Sequence, residues 1–271
     1  MTIRLILAGC GNMGYAMLTG WLNSGKLAPA ETFVVEPNAE LRARAAALGS
    51  RVASEVGGIP VDADPEVVVI AVKPQVIRDV TSGYRRFGNA RTTFVSVAAG
   101  TPVATFTEIL GSKTPIMRCM PNTPAAIGKG MMVLYSNDHV SAQTKDFVGD
   151  LLSASGEVAT IADEGLMDAV TAVSGSGPAY IFHFIECLTA AAENAGLPPK
   201  TAALLAMQTV YGAASLAAES REDPAVLRRQ VTSPNGTTAA ALNVLMGEDR
   251  LKNLLTDAVE AARLRSIELG K

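Results

Sequence analysis

Gly9-Cys10-Gly11-Asn12-Met13-Gly14 is the stretch on which the fold of this chain turns. It has the G-x-G-x-x-G spacing. It stands where an apolar run, residues 3–8, stops and a helically spaced run, residues 12–24, begins. In a strand–turn–helix of this kind the first glycine permits the tight turn. The second lets a pyrophosphate approach the backbone, and the third lets helix and strand pack closely. Free N–H groups at the helix start, aided by the helix dipole, then hold phosphate. The spacing alone is a weak signal; its position at the first strand of an alternating pattern is what strengthens it.

The alternation continues outward from that turn. Residues 32–36 read as a second strand and 37–48 as an Ala/Arg-rich helix. Residues 66–72, 93–97 and 115–119 are further β-rich runs, each ended by a Pro- or Gly-bearing cluster. Residues 131–135 and 158–161 read as two more strands with a helix, 141–153, between them. Strands alternating with helices imply a mostly parallel sheet covered on both faces, an α/β Rossmann domain over residues 1–162. After Asp163 only helical patterns follow, at 164–173, 178–195, 200–219, 224–231, 237–246 and 250–269. Residues 163–271 therefore read as an all-helical domain, with no Gly/Ser-rich linker before it. Within it, residues 177–218 carry only three charges, Glu186, Glu193 and Lys200. A helix apolar all round must be covered all round, and a second subunit is the economical cover, so a homodimer or higher homo-oligomer is expected. A central helix pair buried within a monomer is the alternative.

Composition narrows the function classes. The 271 residues carry a net charge of -3 without long runs of like charge, which argues against nucleic-acid or membrane-surface partners. Cys10, Cys119 and Cys187 form neither a disulfide framework nor a metal pattern, so no metal is expected. The N-terminal apolar run is too short for a signal peptide, and no uninterrupted apolar stretch reaches a membrane span, so a cytoplasmic protein is expected.

Ligands of parallel sheets lie beyond the carboxyl ends of the strands. Gly9, Gly11, Asn12, Met13 and Gly14 are the expected phosphate cradle. Glu36, at the end of the second strand, is placed to accept bonds from the adenosine ribose and to repel a 2′-phosphate. The cofactor is therefore NADPH or NADH, with a lean to NADH. The alternative for Glu36 is a solvated carboxylate. Ala71, Val72, Lys73, Pro74, Ala98 and Ala99 lie at the next strand ends as cofactor-binding candidates. Lys73 is the one cation of these clusters, and a surface lysine is its alternative. Asn122 and Thr123 can bond the nicotinamide half. On the helical side, residues 173–180 and 231–238 are glycine- and hydroxyl-rich segments that each open a helix. Hydroxyls and free N–H groups there suit a carboxylate, with Ser176 a donor in the first segment. An ordinary Ser/Thr cap is the alternative for both. His183 reads as a core histidine and His139 as an exposed one.

At these residues the whole chain resembles the pyrroline-5-carboxylate reductase family. The match lies in G-C-G-N-M-G-Y-A-M from Gly9, A-V-K-P from Ala71, M-P-N-T-P from Met120, V-S-G-S-G-P-A-Y from Val173 and V-T-S-P-N-G-T-T from Val231. The resemblance implies reduction of L-1-pyrroline-5-carboxylate to L-proline by hydride transfer from NAD(P)H, and C-terminal helices that interleave between two subunits. It implies that Ser233, Gly236, Thr237 and Thr238 line the substrate, with Thr238 the catalytic hydroxyl near the imine nitrogen. Asn235 stands where many members have glycine; asparagine tolerates a left-handed backbone, so little effect is expected. Two other readings compete. One is a reductase of the β-hydroxyacid dehydrogenase kind, which resembles this chain in its Rossmann half. Its catalytic lysine has no counterpart here, since no lysine follows Gly177 before Lys200. The other is a non-catalytic NAD(H)-binding module, which would need no hydroxyl-rich pocket.

Overall fold

Leu5 and Leu7 pack into one buried cluster and Ile6 and Ala8 into another, so the first strand is covered on both sides. This is the two-faced burial that a parallel sheet requires. The computed structural model describes residues 2–89 and 91–270; Met1 and Lys271, the outer limits of the two expected domains, lie outside the described residues. Eight strands form one sheet: β1 Leu5–Ala8, β2 Thr32–Val35, β3 Arg51–Ala53, β4 Val67–Ile70, β5 Thr93–Ser96, β6 Ile116–Met120, β7 Gly130–Ser136 and β8 Gly156–Thr160. Their order is β3-β2-β1-β4-β5-β6-β7-β8. Every pairing is parallel except β6 with β7, where Arg118 opposes Tyr135. The sheet is thus mostly parallel, as the alternation predicts.

The helices around it are α1 Asn12–Asn23, α2 Ala39–Ala47, α3 Ile77–Ser82, α4 Val103–Leu110, α5 Ala142–Ser153 and the short α6 Met167–Val170. Asn38 caps α2 by accepting from the N–H groups of Glu40 and Leu41, and Ser141 caps α5 by accepting from Thr144. Strand β3 and helices α3 and α4 go beyond the elements read from sequence. The helical half contains α7 Gly177–Asn194, α8 Pro199–Ser220, α9 Pro224–Gln230, α10 Thr237–Met246 and α11 Arg250–Leu269. No strand follows Thr160 among the described residues.

The chain separates into two units, one running to Ser176 and resuming at Ala262, the other being Gly177–Ala261. The division falls later than residue 162, because α6 and the turns after β8 pack with the sheet. It also returns the end of α11 to the first unit.

The second unit exposes what the sequence marks as apolar. No residue of α7 is buried, and of α8 only Ala202 and Ala206 are. Phe182 is 59%, Leu204 67% and Tyr211 57% exposed, far more contiguous apolar surface than a stable monomer leaves to water. His183 is likewise exposed, at variance with the core role read from its apolar helix; its neighbours on α7 are not covered within the chain. Helix α8 is long and apolar enough, by length and composition, to cross a membrane. It is interrupted by Lys200, Gln208, Thr209 and Ser215, and its apolar character continues onto α7, as a helix pair covered by another protein surface requires. Light scattering at micromolar concentration should report a dimer or larger assembly. A monomer, or rapid hydrogen exchange along α7 and α8 in the intact protein, would contradict this.

Candidate active site

The glycine turn after β1 is shaped by close backbone approach. Gly9 has φ +91°, and a Cβ there would lie 2.6 Å from the Ala71 carbonyl oxygen and 2.8 Å from Val72 Cγ1. A Cβ on Gly14 would run into the Gly9 carbonyl, so α1 packs directly on the turn. Gly11, by contrast, has no atom within 4 Å of the position a Cβ would take. It caps α1 without any side-chain bond, and the first turn of α1 carries no acidic residue. The N–H groups of Asn12, Met13 and Gly14 thus stand at a helix start open on its ligand side, which is the arrangement a pyrophosphate fits. Ala71, through its backbone carbonyl, and Val72, through its side chain, enter this site as the wall that forces glycine at position 9.

Glu36 is 6% exposed, so the solvated-carboxylate reading does not hold. Its carboxylate oxygens accept from the Cys10 N–H at 2.7 Å and the Asn38 N–H at 2.9 Å. The acid therefore links the glycine turn to the start of α2. Arg42 Nη1 donates to the Glu36 and Pro37 carbonyls at 2.8 and 2.9 Å, which ties one end of its guanidinium to backbone. A cavity of about 470 Å³ opens here, and its charged lining is Glu36, Glu55, Asp79 and Lys73. Three carboxylates against one ammonium give it an acidic balance. Lys73 and Pro74 begin a single 3₁₀ turn at the end of β4. Burial first, then the neighbouring Glu36 charge, pushes the Cys10 thiol up to about 11, so it stays protonated and is no nucleophile.

The other strand ends divide between site and scaffold. Ala98 packs in the core beneath the loop, with Val103 and Phe106, while Ala99 is half-buried above it. Asn122 has its side chain engaged: Nδ2 donates to the Ser174 carbonyl at 3.2 Å, and Oδ1 accepts from the Met131 N–H at 2.9 Å. The amide expected to bond nicotinamide is anchored on protein partners, and Thr123 beside it is exposed.

The bond from Asn122 explains the segment 173–180, which is not a loop opening a helix. Thr171–Gly175 is a π-helical turn between α6 and α7, and Ser176 has helical angles, φ -84° and ψ -24°. The Ser176 N–H donates to the Thr171 carbonyl, so no free helix start exists there to hold a carboxylate. Pro178 lacks the N–H that would reach the carbonyl four residues back, that of Ser174. Asn122 supplies the missing donor. π-Turns often mark functional positions, and Ser174 and Ser176 retain hydroxyls there.

In the second unit, residues 231–238 do form a helix start. Gly236 is the cap of α10, and no side chain bonds to the helix end. The hydroxyls of Ser233, Thr237 and Thr238 are therefore not consumed by capping, contrary to the ordinary-cap reading. A Cβ on Gly236 would strike Ser233 Oγ, so the serine hydroxyl sits directly over the glycine. The Gly236 N–H closes a turn on the Ser233 carbonyl at 3.1 Å. Asn235 adopts φ +58°, the left-handed conformation foreseen for it. A ten-residue helix that begins on glycine amid three uncommitted hydroxyls suits a small carboxylate.

Comparison with known proteins covers both units. The family description "Pyrroline-5-carboxylate reductase dimerisation" matches residues 164–269, and "NADP oxidoreductase coenzyme F420-dependent" matches residues 3–100. The pyrroline-5-carboxylate reductase of Pseudomonas aeruginosa is 42% identical over 270 residues, covering 100% of this chain and 98% of its own. A solved structure from Coxiella burnetii, also a pyrroline-5-carboxylate reductase, superposes with TM-score 0.92 at 33% identity and covers 100% of both chains. The Plasmodium falciparum pyrroline carboxylate reductase, solved with NADP bound, gives TM-score 0.83 at 29% identity, covering 99% of this chain and 98% of its own.

Proposed function

The chain belongs to the pyrroline-5-carboxylate reductase family, and from that premise we propose how its residues reduce L-1-pyrroline-5-carboxylate to L-proline, the last step of proline biosynthesis. The observation that carries the proposal is the start of α10, where Gly236 caps the helix and leaves three hydroxyls uncommitted. Gly9, Gly11 and the first N–H groups of α1 hold the pyrophosphate of NAD(P)H, and Glu36 faces its adenosine ribose. The dinucleotide, when bound, supplies the hydride; the chain supplies binding, orientation and charge stabilisation.

At the substrate, the free N–H groups and the Ser233 and Thr237 hydroxyls of the α10 turn hold the carboxylate. Reduction adds a hydride to the imine carbon, and the C=N electron pair moves onto nitrogen, which ends as a secondary amine. Thr238 donates a hydrogen bond from its hydroxyl to that nitrogen as charge shifts there, and solvent supplies the proton that completes the N–H bond. No protein nucleophile or metal ligand enters this chemistry, and neither the buried cysteines nor the two histidines have a role in it. The helical unit Gly177–Ala261 acts as the substrate and dimerisation domain, in a homo-oligomeric cytoplasmic enzyme.

The test is loss of cofactor absorbance with L-1-pyrroline-5-carboxylate, with NADH and NADPH run in parallel. Protein that binds cofactor yet oxidises neither with this substrate would refute the reading. The acidic balance around Glu36 favours NADH, because a 2′-phosphate would add negative charge beside a carboxylate. Glu36→Gln keeps the side-chain shape and removes the charge. It should raise kcat/KM for NADPH relative to NADH by roughly 5- to 30-fold, on the order of 1–2 kcal/mol. An unchanged ratio would mean that Glu36 only braces the turn through Cys10 and Asn38.

A further inference from the structure

The last turns of α11 rejoin the nucleotide-binding unit at the end of β5. Gly100 ends the Val97-Ala98-Ala99-Gly100 loop with φ +72°. A Cβ added to it would lie 3.3 Å from the Gly270 nitrogen and 3.4 Å from the Ser266 carbonyl oxygen. The converse is tighter, since any side chain on Gly270 would strike the Gly100 carbonyl. Two glycines thus bring backbone against backbone. One turn earlier, Ser266 is 4% exposed, and its hydroxyl donates to Asp168 Oδ1 at 2.6 Å. Asp168 belongs to α6, which leads into the π-turn.

The same loop is fixed at its other end. Glu164 Oε1 accepts from the Val103 N–H, at the start of α4, at 2.7 Å, and from Arg118 Nη1 at 2.9 Å. Arg118 is 7% exposed, and its Nε has no hydrogen-bond partner among the described residues. Beside the glycine contact lie two cavities rather than packed core. One, of about 310 Å³, is bounded by Arg118, Glu164, Asp168 and Ser266. The other, of about 360 Å³, is bounded by Pro74, Gln75 and Thr101. The three atoms nearest a Cβ on the buried Gly100 all belong to residues 266–270, so the glycine pair sets its height.

We infer that the C-terminal segment 262–270 is a clasp that positions the β5–α4 loop, and that Gly270 and Ser266 are positioning residues for cofactor binding. The inference rests on the reading of Ala99, half-buried above the core-packed Ala98, as the cofactor-facing residue of that loop. The clasp acts through Gly100: displacing the segment lets the loop rise, and a displacement near 1 Å is enough to spoil binding geometry.

The experiment uses the full-length oligomer and measures NADH affinity by fluorescence, together with KM for each substrate and kcat. Gly270→Val should raise both Kd and KM for NADH by roughly 5- to 20-fold while KM for pyrroline-5-carboxylate stays within about twofold. Ser266→Ala and Asp168→Ala should each give a smaller change in the same direction, and the double variant should be no worse than either alone. Asp168→Asn, which keeps the acceptor oxygen, should restore wild-type affinity. Variants that lose thermal stability but bind NADH like the wild type would overturn the inference, as would equal rises in KM for both substrates. If Gly270→Val does not fold, the Ser266 and Asp168 variants decide on the same readouts. The NADH affinity measurement needs no turnover, so an enzyme inactive on pyrroline-5-carboxylate would refute the proposed reaction and leave this test standing.

Discussion

Gly9→Ala should weaken cofactor binding by roughly 100-fold or more and lower the melting temperature as well. An L-residue held at φ +91° costs about 1–2 kcal/mol. The new methyl would also press on the Ala71 carbonyl, 2.6 Å away, and on Val72. That wall cannot retreat easily, because the Ala71 N–H is bonded to the Ala8 carbonyl at 2.8 Å within the β1–β4 pairing. The turn must open instead, and the first N–H groups of α1 move with it. Gly11→Ala provides the contrast. Its methyl meets nothing within 4 Å, so stability should hold while affinity still falls, because the added carbon occupies phosphate space. Calorimetric binding of NADH and thermal melts on the two variants separate these effects. A Gly9→Ala protein that binds NADH normally would show that the turn does not hold the pyrophosphate.

Thr238→Ala should reduce kcat by about 10- to 100-fold, the loss of one donor worth about 1.5–3 kcal/mol to the charge developing on nitrogen. NADH affinity should stay nearly unchanged, because Thr238 belongs to the substrate side. Thr238→Ser should keep most of the activity, since the hydroxyl remains. Steady-state kinetics on both variants, with the cofactor saturating, provide the measurement. Intact kcat and KM in Thr238→Ala would reduce the threonine to a helix-turn residue and assign the donor to water or to another group.

The parts of the fold legible in the sequence are those decided by local pattern. β1, β2, β4 and β5 are fully buried four-residue runs with glycine or proline soon after them, and α10 and α11 occupy the ranges their spacing predicts. β3 has three residues, all only half-buried, too short for an alternation to register. α3 and α4 are six and eight residues long, and amphipathic spacing over so few positions is hard to tell from a loop. The π-turn was illegible for a different reason. Gly175, Gly177 and Pro178 are loop formers by every local rule. The helix persists because Asn122, 52 residues before Ser174, serves the carbonyl that Pro178 abandons. Only the tertiary structure contains that partner. Among the candidate site residues, Gly9, Gly14 and Gly236 were legible because steric exclusion leaves glycine no substitute. Asn122 is legible as a polar side chain at a strand end, but its bonds to Ser174 and Met131 depend on the fold. Glu36 was half legible: its place at the end of β2 was clear, but its grip on Cys10 depends on the fold.

The return of residues 262–270 to the first unit has a consequence for how the protein is made. A chain growing from its N-terminus at roughly 5–20 residues per second folds its early segments first. Here the nucleotide-binding unit reaches Ser176 and must then wait for the whole of Gly177–Ala261 before residues 262–270 are synthesised. For those seconds Gly100 faces no clasp, Asp168 lacks the Ser266 hydroxyl, and α7 and α8 have already emerged with their apolar surfaces uncovered. Synthesis of residues 262–270 settles the loop but leaves α7 and α8 bare, so aggregation competes with subunit pairing until a second copy arrives.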